Sequence, residues 1–187
     1  MTLVVLDRVP PQRWRNGGGV TRELLAWPGV VGWVLRVSVA DVACDGPFSV
    51  FDGVARWFAV LSGAGVRLDW HGRSVRLGVD SPPLAFDGGD PPQAFLIDGA
   101  TRDLNLMLRR DRSSGGLRRV TPGEAWDSSA PWRGVLTLGE ARLDDGGSTP
   151  RLLPPWSLEF DADAAGRRWC LHADPKNLAY WIEATPR

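Results

Sequence analysis

Apolar and polar side chains alternate along two stretches of this chain with the period of two that is typical of a β-strand. In residues 103–110, Leu104, Leu106 and Leu108 share one face of the predicted strand, and residues 32–40 show a similar division. The opposite, more polar faces carry Asp103, Asn105, Met107 and Arg109 in the first stretch and Val34, Arg36, Ser38 and Ala40 in the second. If both polar faces point into one barrel, they line a pocket. The alternative is that they face water, as most half-exposed antiparallel strands do.

Short β-type runs separated by Gly and Pro extend along most of the chain, and almost no window has helical periodicity,. The candidate strands are residues 33–40, 56–61, 66–70, 73–77, 93–97, 103–109, 134–141, 157–160, 168–172 and 178–184. Regularly spaced short strands predict an all-β barrel or sandwich. Residues 69–73 predict a hairpin with His71 and Gly72 at its tip, and residues 143–150 predict a turn or a flexible loop,.

The composition narrows the class of protein. The chain has 187 residues, enough for one large domain or two small fused domains, and its 22 basic residues balance its 22 acidic residues,. Without a basic surplus we expect no nucleic acid partner, and no apolar run is long enough to predict a membrane helix. Two cysteines are too few for a disulfide framework, and the first residues do not resemble a signal peptide, so we expect a cytoplasmic protein,. A homodimer is compatible with the sequence.

Three consecutive glycines, Gly17–Gly19, stand in a segment that is rich in hydrogen-bonding side chains, with Asn16, Thr21, Arg22 and Glu23 around them,. Glycines permit a tight turn or the close approach of a ligand or another strand, and the sequence leaves these alternatives open. A phosphate-binding loop is excluded because neither the GxxxxGKS/T spacing nor the GxGxxG spacing is present.

Metal ligands and catalytic nucleophiles are scarce in this sequence. The only histidines, His71 and His172, lie far apart and form no His-x-His pair, so we expect neither a metal nor another cofactor,. Cys44 and Cys170 lack the cationic surroundings that activate a thiol,. Ser49 lacks the GxSxG elbow of a nucleophilic serine, and it either caps a turn or donates a hydrogen bond to a ligand,.

Arginines, amides and hydroxyl groups remain, and these are the groups that recognise anions. Arg56 is the strongest anion-binding candidate because it begins a strand directly after the loop of residues 45–53. The predicted binding residues are Asn16, Thr21, Arg36, Ser38, Ser49, Arg56, Asn105 and Arg109. Residues expected to hold these in place are Trp14, Arg22, Glu23, Phe48, Asp103 and Met107. At least one of Arg22, Arg109 and Arg110 is expected to be a surface or ion-pairing residue.

Several motifs in the first part of the chain occur in an order that closely resembles the HutD/Ves family, over about residues 3–110. The matching segments are Trp14-x-Asn16-Gly17-Gly18-Gly19-x-Thr21-Arg22-Glu23, Trp33-x-x-Arg36-x-Ser38-x-Ala40-Asp41-Val42, Asp45-Gly46-Pro47-Phe48-Ser49-x-Phe51-x-Gly53, Arg56, and Asp103-Leu104-Asn105-Leu106-Met107-x-Arg109-Arg110. Leu104 stands where the family usually has an aromatic residue. The resemblance implies a bicupin, which is two fused small jelly-roll-like β-barrels, here at about residues 25–110 and 111–187, with strands from residues 1–24 contributing.

The resemblance also implies a function, since members are associated with histidine-utilisation genes or with stress response and carry no firmly established enzymatic activity. Metal-dependent cupins use a His-x-His pair, a carboxylate and a third histidine, which this chain lacks. We therefore expect metal-independent binding of a small carboxylate metabolite such as N-formylglutamate, in a role that regulates or limits histidine catabolism. One alternative is a metal-free enzyme that acts on a sugar or amino-acid derivative, with Asp103 or Glu23 as acid or base. Another is an interaction protein with exposed tryptophans, for example Trp126, Trp132 or Trp156.

Overall fold

Nearly all regular structure in this protein is β-strand, and its one helical element is a single 3-10 turn at Leu6–Arg8. The computed structural model describes residues 1–187. The all-β prediction is therefore confirmed. The structure contains no helix that is long enough and apolar enough to span a membrane.

The strands follow one another with short connections. In chain order they are β1 (Thr2–Val5), β2 (Gln12–Arg13), β3 (Gly19–Trp27), β4 (Leu35–Val42), β5 (Gly46–Pro47), β6 (Val54–Ser62), β7 (Val66–Trp70), β8 (Arg73–Leu77), β9 (Leu84–Asp87), β10 (Gln93–Leu96), β11 (Thr101–Arg109), β12 (Ser113–Arg119), β13 (Ala125–Asp127), β14 (Trp132–Thr137), β15 (Ala141–Asp144), β16 (Arg151–Leu153), β17 (Ser157–Asp161), β18 (Arg168–Ala173) and β19 (Ala179–Pro186). They belong to two compact units. The first unit comprises residues 10–113 with Arg187, and the second unit comprises residues 1–9 and 114–186.

The first unit contains a six-stranded sheet in the order β2-β3-β4-β11-β6-β9 and a four-stranded sheet in the order β5-β10-β7-β8. Antiparallel pairing sets Ser38 opposite Asn105 and Arg36 opposite Met107, and Arg56 of β6 lies opposite Met107 on the other side. Directly opposite residues of an antiparallel pair project to the same face of the sheet. The polar faces predicted for the two alternating stretches therefore lie side by side.

Both faces of this central part of the sheet are buried. The apolar face, which includes Leu35, Val37, Leu104 and Leu106, has no solvent exposure, and the polar face also contains buried side chains. The simple alternative, in which the polar face points to water, is therefore excluded. Burial of polar groups is costly unless they find partners, so their partners identify the candidate site.

The second unit contains a five-stranded sheet in the order β1-β17-β14-β19-β12 and a four-stranded sheet in the order β13-β18-β15-β16. Its interior is filled by three tryptophans, with Trp126 stacked on Trp181 at 4.5 Å between ring centroids and both close to Trp169. Trp126 is almost completely buried. The expectation that Trp126 is exposed as part of a partner surface is therefore wrong, because its ring is needed in this core.

Nine of the ten predicted strands are present with ends that agree within two residues, and the predicted hairpin with His71 and Gly72 at its tip is confirmed. The predicted strand 134–141 is wrong as one element, because β14 and β15 belong to different sheets. The chain bends between them, where the Thr137 hydroxyl donates to the carbonyl oxygen of Gly139 at 2.7 Å. The predicted loop 143–150 is also too long, since Leu143 and Asp144 belong to β15.

Most strands absent from the sequence-based prediction lie at sheet edges. They are β1, β2, β5, β9, β12, β13 and β16, each at the end of its sheet. An edge strand pairs on one side only and keeps much of its surface in contact with solvent, so its sequence need not alternate clearly. Very short strands are also difficult to predict, and β2 and β5 have only two residues each.

The triple glycine forms a turn and then enters β3. Gly17 has a φ of 72°, which favours glycine, and its N–H donates to the carbonyl oxygen of Trp14 at 3.1 Å,. A Cβ atom on Gly19 would lie 2.5 Å from the carbonyl oxygen of Asp41 on β4. The glycines therefore serve both of the structural roles that the sequence left open, the tight turn and the close approach of a strand.

Candidate functional site

A cavity of about 730 Å³ lies in the first unit, on the buried polar face of the six-stranded sheet. Its polar lining consists of Gln12, Arg13, Arg15, Asn16, Thr21, Arg36, Ser38, Ser49, Arg56 and Asn105. Its apolar lining consists of Trp14, Ala40, Val42, Pro47, Phe48, Val50, Phe51, Phe58 and Met107. Small-molecule sites typically have this size and this combination of apolar walls with a few polar groups.

Arg56 is the most unusual residue of the cavity because it is a buried cation without an ion pair. Only 5% of its surface is exposed. One guanidinium nitrogen, Nη2, donates to Oδ1 of Asn105 at 3.0 Å, and Nη1 donates to the carbonyl oxygen of Ser49 at 3.3 Å. The Nε atom is buried and has no hydrogen-bond partner. The side chain is therefore held in place by neutral groups, and its positive charge is not balanced.

Three phenylalanine rings surround the Arg56 guanidinium. Its carbon Cζ lies 4.9 Å from the ring centroid of Phe86, 5.2 Å from that of Phe48 and 5.5 Å from that of Phe51. Such cation–π contacts stabilise the charge in part. Burial, with a smaller contribution from repulsion by the neighbouring Arg36, nevertheless lowers the pKa of Arg56 to about 10. At neutral pH Arg56 is still protonated, so it is a desolvated cation that an anion would stabilise.

Arg36, the second inner arginine, already has an acidic partner. Its Nε donates to Oε2 of Glu23 at 2.5 Å, and its Nη1 contacts the sulfur of Met107 at 3.6 Å. Glu23 lies on β3, where a β-bulge between Glu23 and Leu25 shifts the register against β4. The ion pair neutralises Arg36, which leaves Arg56 as the unbalanced charge at the inner end of the cavity.

The N-terminal hairpin supplies another wall of the cavity. The indole Nε1 of Trp14 donates to the Thr21 hydroxyl at 2.8 Å, which fixes the ring. Gly19 leaves room for that ring, because a Cβ there would lie 3.3 Å from two of its carbons. Asn16 closes the turn by accepting the Gly18 N–H at 3.0 Å. Of the hydrogen-bonding side chains noted in the sequence, Asn16 and Thr21 therefore belong to this wall together with Trp14.

The structure brings seven of the eight predicted binding residues to this one cavity. They are Asn16, Thr21, Arg36, Ser38, Ser49, Arg56 and Asn105. Arg109 is not among them, since it lies at the exposed end of β11 with its guanidinium 5.9 Å from the ring centroid of Trp33. Of the residues expected to support the site, Trp14, Phe48 and Met107 line the cavity themselves.

The remaining predicted supporting residues do not line the cavity. Glu23 holds Arg36, as described above, whereas Arg22 donates to Asp41 at 2.9 Å. Asp103 is 1% exposed, and its Oδ2 accepts a hydrogen bond from the Thr101 hydroxyl at 2.8 Å while Oδ1 has no partner. Burial raises the pKa of Asp103 to about 7, against the opposing effect of the Thr101 hydrogen bond.

Several lining residues were not identified from the sequence. They are Gln12, Arg13, Arg15, Ala40, Val42, Pro47, Val50, Phe51 and Phe58. Phe51 could have been predicted from the sequence, because it lies in the same motif as Phe48 and Ser49. Arg13 and Arg15 flank Trp14, but β2 is too short to predict which side chains point to the same wall.

The cupin resemblance raises the question of whether this cavity holds a metal. Residues 1–187 contain no group of three or more His, Cys, Asp or Glu side chains that could bind a metal ion. The cavity lining offers four arginines and no carboxylate, imidazole or thiol group. Guanidinium groups repel a cation and are always protonated, so these residues do not fit a metal ion. They fit an anion instead.

Comparisons with known proteins agree with this architecture. The model of the HutD family matches residues 7–154. Protein Ves from Citrobacter koseri is 35% identical over 169 residues, with coverage of 80% of this chain and 86% of the relative. The structure of HutD from Pseudomonas fluorescens SBW25 superposes with a TM-score of 0.88 at 27% identity, covering 100% of this chain and 98% of that chain. A cupin 2 conserved barrel domain protein from Leptotrichia buccalis, 12% identical, superposes with a TM-score of 0.58 over 100% of this chain and 96% of its own, which shows a likeness of fold alone.

Proposed function

Since the chain belongs to the HutD family, as its match over residues 7–154 shows, we propose that it is a metal-independent small-molecule-binding protein whose first unit binds a carboxylate. The resemblance to HutD and Ves that the sequence suggested is confirmed. The proposal includes two cupin-type barrels at about residues 25–110 and 111–187, with residues 1–24 contributing. Cupin-type structural neighbours support it.

The unbalanced charge of Arg56 carries this proposal. A buried cation without a counter-ion costs free energy, and proteins keep such groups where function requires them. A carboxylate in the cavity would supply that counter-ion, and the guanidinium offers a planar set of donors that matches it. Asn105 fixes the orientation of these donors through its Oδ1 atom. The free energy lost in burying Arg56 is then recovered when the ligand binds.

The ligand in this proposal is a small carboxylate metabolite such as N-formylglutamate, and the role is to regulate or limit histidine catabolism. One relative supports this role in histidine catabolism. It is a protein of Pseudomonas putida, 37% identical over 105 residues, and it is described as an uncharacterised protein in the hutC 3′ region. A protein that binds an intermediate without consuming it can report or restrain the amount of that intermediate.

The test is a thermal-shift screen with formate, urocanate and N-formylglutamate on the native chain and two variants. A ligand that binds only the folded state raises the apparent melting temperature in a saturable manner. We expect Arg56→Ala to abolish the shift, since losing a buried charged contact costs about 2–5 kcal/mol. Arg109→Ala is the matched control, because this exposed arginine does not line the cavity, and its shift should equal that of the native chain.

An unchanged shift in Arg56→Ala would overturn the proposed site, and the absence of any shift with all three carboxylates would overturn the proposed function. The geometry gives less support to acid–base catalysis. Neither Asp103 nor Glu23 lines the cavity, and Glu23 is already engaged with Arg36. An enzyme of that kind would show turnover with a pH profile that disappears in Asp103→Asn.

A further inference from the structure

Two buried polar side chains of the cavity keep hydrogen-bonding capacity that the protein does not use. Asn105 accepts from Nη2 of Arg56 through Oδ1, and an arginine can only donate, so the amide oxygen must face Arg56,. The amide nitrogen Nδ2 is therefore left to donate to a ligand. The hydroxyl of Ser38 also makes no hydrogen bond within the protein. Only 3% of Ser38 and 7% of Asn105 are exposed, and both line the cavity.

The pairing of the central strands brings these two side chains together beside Arg56. Ser38 on β4 and Asn105 on β11 lie directly opposite each other. Such pairs project to the same face of the sheet, with Cβ atoms about 4.5–5.5 Å apart. Asn105 in turn contacts the Arg56 guanidinium at 3.0 Å. The three side chains are therefore close enough to bind two neighbouring groups of one small molecule.

Negative charge is absent from the same part of the cavity. The Ser49 carbonyl oxygen and Oδ1 of Asn105 already accept hydrogen bonds from Arg56. No carboxylate lines the cavity, and Glu23 is engaged with Arg36. An ammonium group buried here would lack a counter-ion and would be repelled by both inner arginines. The cavity therefore disfavours a free amino acid, which carries an ammonium group next to its carboxylate at neutral pH.

Acylation of the amino group removes this unfavourable charge. The nitrogen then belongs to a neutral amide, whose carbonyl oxygen accepts a hydrogen bond and whose N–H donates one. Nδ2 of Asn105 is suited to the carbonyl oxygen, and the Ser38 hydroxyl is suited to the N–H. The neighbouring carboxylate keeps its contact with Arg56. A cavity of about 730 Å³ has room for the acyl group as well as the rest of the ligand.

We propose that the cavity selects N-acylated amino acids over free amino acids, with the carboxylate at Arg56 and the amide at Asn105 and Ser38. This inference rests on the proposed function, because Arg56 is the carboxylate contact in both. The class includes N-formylglutamate, whose second carboxylate can extend towards Arg13 and Arg15. These two arginines line the cavity and are exposed.

The experiment compares glutarate, glutamate and N-formylglutamate by titration calorimetry. The three probes share one carbon skeleton and two carboxylates, and they differ only in bearing hydrogen, an ammonium group or a formamide beside one carboxylate. We expect N-formylglutamate to bind at least about tenfold more tightly than glutamate, with glutarate between them. Glutamate or glutarate binding as tightly as N-formylglutamate would overturn this inference and leave the proposed function intact. If no probe binds, the proposed function itself fails.

Ser38→Ala tests the recognition of the amide. The substitution removes one oxygen atom from the cavity wall, so the affinity for N-formylglutamate should fall at least about threefold while that for glutarate stays unchanged. Ser62→Ala is the matched control, because Ser62 is exposed at the end of β6 and does not line the cavity. It should change neither affinity. Equal losses for N-formylglutamate and glutarate in Ser38→Ala would contradict a contact between Ser38 and the amide.

Ser38→Asp tests the role of charge at the same position. An added carboxylate attracts an ammonium group and repels a carbonyl oxygen, so the ratio of the affinities for N-formylglutamate and glutamate should fall at least about tenfold. Circular dichroism checks that the variant is folded, and Ser38→Ala decides the question if it is not. An unchanged ratio in the folded variant would show that the lack of negative charge does not set the preference.

Discussion

Arg56 in the first unit and Arg133 in the second unit are both buried arginines whose guanidinium groups lie over aromatic rings. Arg133 is fully buried, with Cζ at 5.1 Å from the ring centroid of Trp169 and 5.3 Å from that of Trp126. Its Nη2 donates to the carbonyl oxygens of Ala164 and Arg167, the latter at 2.5 Å. Burial lowers the pKa of Arg133, and the charges of Asp161 and Glu183 oppose that effect. Arg56 has no such carboxylate.

The difference between the two arginines separates a structural residue from a binding residue. In the second unit two carbonyl oxygens accept hydrogen bonds from Nη2 of the buried arginine, and tryptophans fill the interior. Its Nε and Nη1 have no hydrogen-bond partner, but the charges of Asp161 and Glu183 favour its protonated form. In the first unit the neighbours of Arg56 are neutral or positive, and a cavity lies beside it. A buried charge with acidic charges of the protein close by needs no ligand, whereas one left without a counter-charge next to a cavity indicates a ligand.

The largest expected effect concerns Asp103, a buried ionisable group of the first unit that has no cationic partner. Its pKa of about 7, compared with the ordinary 3.8, means that the folded chain keeps a proton that the unfolded chain releases. The free energy of unfolding therefore falls as pH rises from about 4 and stops falling above about 7. At about 1.4 kcal/mol per pH unit this contribution reaches about 4 kcal/mol.

Asp103→Asn removes that pH-dependent loss because an amide does not ionise. We expect the variant to gain stability over the native chain as pH rises, by about 2.5 kcal/mol between pH 5 and pH 8. Urea unfolding at both pH values measures the gain. Thr101→Val, which removes the hydroxyl that donates to Asp103, is the control and should lower stability most at high pH. A stability difference that is the same at pH 5 and pH 8 would show that Asp103 stays ionised in the folded chain.

Arg133→Met is expected to have the next largest effect, on the second unit. The substitution keeps much of the side-chain volume but leaves the carbonyl oxygens of Ala164 and Arg167 without their donor. Hydrogen bonds to a charged group contribute about 1.5–3 kcal/mol each, so we expect a loss of about 3 kcal/mol in the free energy of unfolding. Urea unfolding at pH 7 measures it, and a change below about 1 kcal/mol would mean that water replaces the guanidinium.

Arg56→Met is the matching substitution in the first unit and should have the smallest effect on stability. It replaces an uncompensated buried cation by an apolar side chain among Phe48, Phe51 and Phe86, so desolvation is relieved while cation–π contacts are lost. We expect a change between no effect and a gain of about 1 kcal/mol. A loss as large as that of Arg133→Met would place Arg56 among the structural residues and remove the basis of the comparison.

Strands with clear alternation could be predicted, whereas most strands at sheet edges could not. The predicted bounds match β7 and β8 to the residue and β4, β6 and β11 within two residues, although β8 is an edge strand and the internal strand β3 is absent from the prediction,. The edge strands β1, β12 and β16 escaped prediction, since half-solvated strands place fewer demands on their sequence. The sequence pattern places Gly139 within a predicted strand, but the chain bends there and continues into another sheet.

Part of the candidate site could be predicted because Arg36, Ser38 and Asn105 lie on strands with clear alternation. Strand alternation grouped Arg36 with Ser38 and Asn105 with Met107, and pairing of β4 with β11 then placed the two groups together. Arg109 obeys the same alternation but lies where β11 leaves the sheet, so the pattern alone did not exclude it from the cavity. Arg13 and Arg15 were missed because a two-residue strand has no pattern to follow.

The all-β class, the amphipathic strands, the family and the arginine-rich, histidine-poor chemistry of the site can all be predicted from the amino-acid sequence. These properties follow from residue type and period, which are local. Which arginine remains without a counter-charge is known only from the folded arrangement of the strands. That outcome depends on Glu23 reaching Arg36 across a bulged strand, and on Asn105 and three phenylalanines surrounding Arg56. Burial and counter-charge arise from residues distant in sequence, so no local pattern contains them.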